Sequence, residues 1–174
     1  IAADSQGNAF YGDITVVPNV SNAKLAACAN TVVAQTLSFG ARIYTLDGST
    51  SACDPGTDAD APAPGIFGAG NLPSLTRRDY VQNSNDSYWL ANPAVDLYGW
   101  TIPASMGLVP GQQNMRTRLG ITQAQARLAG TDGLAGNKFT LANLLQLALS
   151  NRSYTAVLFM ADVAALCALP AASA

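Results

Sequence analysis

The sequence predicts an α+β fold, with strands in the first half of the chain and helices in the last third. Three observations carry that reading. Apolar and polar residues alternate from Phe10 towards Val17. A long unperiodic stretch rich in Gly, Pro, Asp and Ser fills residues 47–76. Leu141, Leu144, Leu145, Ala148 and Leu149 recur at helical spacing. Strands grouped ahead of helices suit an α+β domain or a piece of a layered α/β fold.

Each element has its own signal. The strand over 10–17 ends at Pro18, which has no N–H to give to a ladder. Ser21 is placed to cap a helix from residue 22 to about residue 37, in which Leu25, Cys28, Ala29 and Val32 share a face. Residues 42–46, Arg-Ile-Tyr-Thr-Leu, read as a short strand before the Asp47-Gly48 turn. The stretch 47–76 contains Asp-Pro, Pro-Gly and Gly-Asn turns. Its apolar anchors, Ile66, Phe67, Leu72 and Leu75, make it an ordered, functional loop rather than a flexible linker. A strand over 79–82 follows. Residues 116–128 form a helix with Gly130 as C-cap, residues 140–149 form a second, and Ser153 caps a third running to about residue 169. The chain thus divides into a strand and helix part (1–46), the loop (47–76), a strand and turn (77–93) and a helical part (115–169).

Composition bounds the surroundings. Hydrophobic residues make up 49% of the 174, and charged residues only 11%, where a soluble domain has roughly 25%. So few charges leave surface that other protein must cover, and the chain reads as a fragment or subunit. In isolation it is expected to expose large apolar patches and to associate. Nine Lys and Arg against eleven Asp and Glu give a net charge of −2 and a pI near 4.7, so no basic field exists to hold a nucleic-acid backbone. The longest apolar run, 156–169, is broken by Asp162 and stopped by Pro170, short of the roughly 20 residues that span a bilayer. The start at Ile1 rather than Met suggests a processed or truncated product.

Three cysteines are present. Either all are buried thiols, or Cys28 and Cys53 form a disulfide, which over a loop of this length contributes about 3 kcal/mol. The disulfide is favoured, because Cys53 lies in a turn, Ser51-Ala52-Cys53-Asp54-Pro55-Gly56, that offers nothing to bury a thiol. Cys167 is then odd, and in a secreted protein such a residue often pairs outside the chain.

Several chemistries are excluded. The chain has no histidine, which removes Ser-His-Asp and Cys-His catalysis and every histidine-based metal site within it. It has neither a Gly-x-x-x-x-Gly-Lys phosphate loop nor a dinucleotide fingerprint. Asp54, Asp58 and Asp60 lack the calcium-loop pattern and read as a solvated acidic loop. No cofactor and no metal are expected.

Residues 80–93 begin Tyr80-Val81-Gln82-Asn83-Ser84-Asn85-Asp86-Ser87-Tyr88-Trp89 and end Leu90-Ala91-Asn92-Pro93. Taken alone, Asn83, Asn85 and Asp86 make a turn after a strand. The whole stretch, however, resembles the central motif of the penicillin acylase family of N-terminal-nucleophile hydrolases, in the branch of the acyl-homoserine-lactone acylases and aculeacin A acylase. Pro64-Gly65-Ile66-Phe67-Gly68, Met115-Arg116-Thr117-Arg118-Leu119 and the 139–152 helix ending in Asn151-Arg152 resemble the same branch, so the likeness covers most of the chain. The fold it implies is the four-layer αββα fold.

The resemblance implies a precursor that cuts itself and exposes a serine as the first residue of a β subunit. That serine attacks an amide carbonyl with its own α-amino group as base, which needs no histidine. The oxyanion is held by a backbone N–H and by the third residue of Asn-x-Asn, here Asn85. An arginine some thirty residues on orients it: Arg116 by best fit, Arg118 second. A neutral amide suits the task because it offers N–H without an ionisable proton, and a planar guanidinium can grip its carbonyl oxygen. Asn83, Ser84 and Asp86 then support the turn. For Arg116 the alternative is a solvated arginine at a helix start. Tyr88, Trp89 and Trp100 read as core rather than pocket.

The chain departs from the family pattern at its start: Ile1 is no nucleophile, and no Gly-Ser-Asn cleavage segment occurs within it. The serine, the backbone donor and the companion α subunit are expected on other segments, and this chain alone is expected to be inactive. The implied activity is release of an acyl chain from an N-acyl-homoserine lactone, or from a β-lactam or lipopeptide, in a periplasmic or secreted enzyme. A reading of another class is a non-catalytic secreted interaction module that kept the scaffold.

Overall fold

The computed structural model describes residues 1–41, 43–85, 88–95, 97 and 112–169. Arg42, Asp86, Trp100 and Pro170 lie outside the described residues. The chain divides into two units, Ile1–Gly111 and Gln112–Ala174.

The first unit is built on a three-stranded antiparallel sheet of β1 (Ala2–Ala3), β2 (Ala9–Gly12) and β3 (Ser74–Arg77), with β2 in the middle. The β1–β2 turn is closed by the Asp4 carboxylate, which accepts from the N–H groups of Gln6 and Asn8 at 2.9 and 2.8 Å. The expected strand over 10–17 is shorter. It pairs with β3 from Ala9↔Arg77 to Gly12↔Ser74, and Asp13 N–H still reaches Pro73 O at 2.9 Å. Pro73 has no N–H to return, so the ladder stops there. Contact resumes only where Phe67 N–H donates to Val17 O and Pro18 bridges Ile66. β3 begins within the stretch 47–76 read as loop and ends one residue beyond it.

The expected helix over 22–37 is broken in two. α1 (Asn22–Cys28) is capped by Ser21, whose hydroxyl accepts from Lys24 N–H. α2 (Val32–Gln35) starts anew at Thr31, whose hydroxyl accepts from Ala34 N–H, and passes into one wide turn over Thr36–Gly40. Side chains compete with the helix between the two. Asn30 Nδ2 donates to Asp47, and Cys28 O accepts from Asp47 N–H rather than from a further turn. Residues 43–46, expected as a strand, turn back onto α2 instead. Thr45 N–H donates to Ser38 Oγ, and the Thr45 hydroxyl donates to Ala34 O.

Cys28 and Cys53 are joined in a disulfide with their Cα atoms 5.7 Å apart. Cys53 is buried at 7% exposure, in a short turn of 3₁₀ helix over Ser51–Cys53, so the turn does offer it cover, on the face of α1. Cys167 is an exposed free thiol.

The loop after Cys53 is held from within. Val17, Phe67 and Leu72 form a small core beneath it. Asp58 is not merely solvated: it accepts from Gly68 N–H, Asn71 Nδ2 and Asn19 Nδ2 at 2.9, 2.7 and 2.7 Å. The hydrogen bond from Asn71 first, then that from Gly68, hold its carboxyl below the usual range. A carboxyl lowered on folding stabilises the fold above its unfolded pKa, and that contribution is lost as pH falls below about 4. Stability measured by urea unfolding between pH 6 and pH 3 is expected to fall more steeply in the natural protein than in Asp58→Ala. Parallel curves would remove Asp58 from this role.

The second unit is helical: α3 (Met115–Ala129), α4 (Leu141–Leu149) and α5 (Tyr154–Cys167). Asn114 caps α3 by accepting from Thr117 N–H at 2.9 Å, and Gly130 ends it at φ +69°. Thr140 caps α4, while Ser153 stands at the N-cap of α5 without a side-chain hydrogen bond. Arg127, on α3, is fully buried and was not singled out in the sequence. Its Nη2 donates to the carbonyls of Leu134, Ala135 and Gly136, and its Nη1 lies 3.2 Å from Asp132 Oδ2. That last approach is an ion pair without the alignment of a hydrogen bond.

The leucine stripe of α4 faces outward. Leu141, Leu144, Leu145 and Leu149 expose half or more of their surface, as do Val157, Phe159, Met160 and Val163 of α5. The large apolar patches expected of this composition are therefore present in the single chain. Among the described residues, no helix is long and apolar enough to cross a membrane.

Candidate active-site segment

The Asn-rich motif follows β3 directly, and its entry is fixed by charge. Arg77 grips Asp79 with Nε and Nη2, and Asp79 Oδ1 also accepts from Tyr80 N–H at 2.7 Å. The hydrogen bond from Arg77 is the main cause that holds the Asp79 carboxyl far below the usual carboxylate range, so this clamp is charged at any pH of biological interest.

Residues 79–82 are not a strand. They run back against residues 90–92 as the stem of a loop: Gln82 N–H donates to Ala91 O at 2.9 Å, and Gln82 Nε2 donates to Leu90 O. Asn92, 1% exposed, locks the other side. Its amide donates to Tyr80 O and its carbonyl accepts from Ala94 N–H, both at 2.9 Å. Tyr88, Leu90 and Ala91 turn inward, and Tyr88 and Ala91 pack with Tyr11 of β2 and with Leu97, flanked by half-buried Leu75, Val81 and Trp89. Tyr88 is thus core, as expected, while Trp89 packs half-buried against that core.

Burial of the stem leaves the tip outside. Asn83 Oδ1 accepts from Asn85 N–H at 2.7 Å, an Asx turn. The Ser84 hydroxyl donates to Gln82 Oε1 at 3.1 Å, and Asn83 Nδ2 reaches the Tyr11 hydroxyl at 3.5 Å. The turn drives Asn85 into the left-handed region, φ +64°, which asparagine tolerates better than most residues. Asn85 is exposed, and among the described residues its side chain has no hydrogen-bond partner.

Arg116 and Arg118 stand in the first turn of α3, in the second unit. Arg116 is exposed, while the guanidinium of Arg118 lies 5.2 Å from the ring centre of Tyr154, a cation–π contact within its own unit. The geometry thus gathers Asn83, Ser84 and Asn85 at one turn and gives Arg118 separate work. Tyr11, Gln82 and Asn92 escaped the sequence reading. Of the three, Asn92 had a signal, since Asn-Pro is a turn-initiating pair. The other two depend on contacts that spacing does not encode.

A segment whose stem is anchored on buried Leu90, Ala91 and Asn92 and whose tip presents the exposed Asn85 amide suits binding of a developing negative charge. The family model for penicillin amidases matches residues 1–174, and the chain belongs to that family. It is 49% identical over 167 residues to aculeacin-A acylase of Actinoplanes utahensis, covering 96% of this chain and 21% of that protein. It is also 45% identical over 119 residues to the acyl-homoserine lactone acylase PvdQ of Pseudomonas fluorescens, covering 68% of this chain and 14% of that protein. To PvdQ of Pseudomonas syringae pv. syringae it is 34% identical over 168 residues, covering 97% and 20%. The chain therefore spans about a fifth or less of the length of these relatives.

Proposed function

We propose that this chain is the part of an acylase that supplies the side-chain donor of the oxyanion hole, with Asn85 as that donor. The observation that carries the reading is the exposed Asn85 amide on a turn fixed from below, in a chain of the penicillin amidase family. In the proposed reaction a serine at the N-terminus of another segment attacks the carbonyl carbon of an amide, and its α-amino group takes the hydroxyl proton. The carbonyl π electrons move to oxygen, and Asn85 Nδ2–H and a backbone N–H elsewhere hold the resulting charge. The amine then leaves with a proton, and water releases the acyl group from the serine. Arg116 orients the Asn85 amide, with Arg118 as second choice because it already faces Tyr154. The partners are a companion α subunit and the remaining β-subunit segments, in the four-layer fold of such hydrolases. The Cys28–Cys53 disulfide supports an oxidising, periplasmic or secreted location.

The names of the similar proteins and of the family point to an N-acyl-homoserine lactone, aculeacin A or a penicillin. The proposed substrate is an N-acyl-homoserine lactone, with a β-lactam or a lipopeptide as the alternative. Incubating the mature, full-length protein with N-acyl-homoserine lactones of graded chain length, an acylated lipopeptide and a penicillin is expected to release free acid from at least one class. A companion chain beginning with Ser should accompany that activity. No release from any class, together with a stable folded monomer, would instead support a secreted interaction module.

A further inference from the structure

We infer that Asn83 is a positioning residue for the reaction: its side chain sets the backbone of Asn85, and so fixes where the Asn85 amide points. The inference rests on the oxyanion role proposed for Asn85 and adds a residue to it.

Asn83 is linked to both levels of the loop. Its Oδ1 accepts the Asn85 N–H at 2.7 Å, and its Nδ2 is directed at the Tyr11 hydroxyl at 3.5 Å. Tyr11 is 4% exposed, at the centre of the sheet and in the same apolar cluster as Tyr88 and Ala91. One amide thus ties the tip of the turn to the middle strand of the sheet. The tie matters because φ of +64° is a conformation that an asparagine backbone does not favour by itself. Without an acceptor for its N–H, Asn85 is free to return to the ordinary region, which swings its side chain away. Burial first, and then the nearby Asp13, push the Tyr11 hydroxyl up to about 12, so the anchor remains neutral wherever the enzyme works.

Asn83 touches neither the substrate nor the nucleophile in this scheme and acts through Asn85. The test uses the mature, full-length protein and separates kcat from KM. Asn83→Ala is expected to lower kcat by up to about 100-fold with KM little changed, the scale of a misplaced catalytic group. Asn83→Ser retains a neutral acceptor for the Asn85 N–H and is expected to recover most of that loss. In the Asn85→Ala background, Asn83→Ala should cause no further loss, because the group it positions is gone.

Wild-type kcat in Asn83→Ala, with Asn85→Ala impaired, would overturn this inference alone. So would a double variant slower than Asn85→Ala by the full factor of the single change. Wild-type turnover in Asn85→Ala would remove the oxyanion reading, and this inference with it. Should Asn83→Ala fail to mature, Tyr11→Phe leaves the turn acceptor in place and removes only the anchor. It is expected to lower kcat about two- to tenfold, and an unaltered kcat would count against the inference.

Discussion

If Asn85 holds the proposed oxyanion role, replacing it with alanine in the mature, full-length protein is expected to lower kcat by about 10²- to 10³-fold, the usual cost of one oxyanion donor. The loss should fall on kcat and kcat/KM alike, because the interaction strengthens only when charge develops on the substrate oxygen. KM should change little. Self-cleavage, read as the appearance of a chain beginning with Ser, is expected to proceed normally. The side chain of Asn85 is exposed, and among the described residues it supports no other group, so the fold should not suffer. Unaltered turnover would take Asn85 out of the site. A protein that neither matures nor melts cooperatively would point to a structural role instead.

The largest effect on stability is expected at Arg127. Its side chain is fully buried, paired with an Asp132 side chain only 5% exposed, and it ties down the carbonyls of Leu134, Ala135 and Gly136. Arg127→Met keeps most of the volume but leaves a buried carboxylate unpaired and the loop carbonyls without their donor. Breaking a buried pair on one side costs roughly 3–5 kcal/mol. The Arg127→Met/Asp132→Leu double variant removes the orphaned charge and should recover part of that loss. Denaturant midpoints of the natural, single and double variants measure both effects. A single variant within about 1 kcal/mol of the natural protein would mean that the guanidinium contributes little.

The parts of the fold that the sequence made legible were those governed by local rules. Gly130 ends α3, Thr140 caps α4, and the helical period of 141–149 yields a helix. Motif likeness located the family, and the Asn-x-Asn spacing located the turn. What stayed hidden depends on partners distant in sequence. β3 is a strand because β2 lies beside it, and Pro73 stops that ladder from the far side. The helix expected through residue 37 breaks because Asp47 and Thr31 draw away its hydrogen-bonding groups. Arg127 reads as a surface charge in one dimension. Only the return of residues 134–136 over it makes it a core residue.

The backbone at Asn85 narrows the choice of amino acid further than the chemistry does. A left-handed position admits glycine, asparagine and aspartate with the least strain. A donor for an oxyanion must be neutral and bear an N–H on its side chain. Glycine has no side chain, and aspartate brings the wrong charge. Histidine, also enriched there, changes its charge near neutral pH, and glutamine, chemically suitable, is a poor tenant of that conformation. In the proposed role, therefore, shape and chemistry agree on one letter of the twenty-letter alphabet. A lineage that changed this letter would have to rebuild the loop before it could regain the reaction.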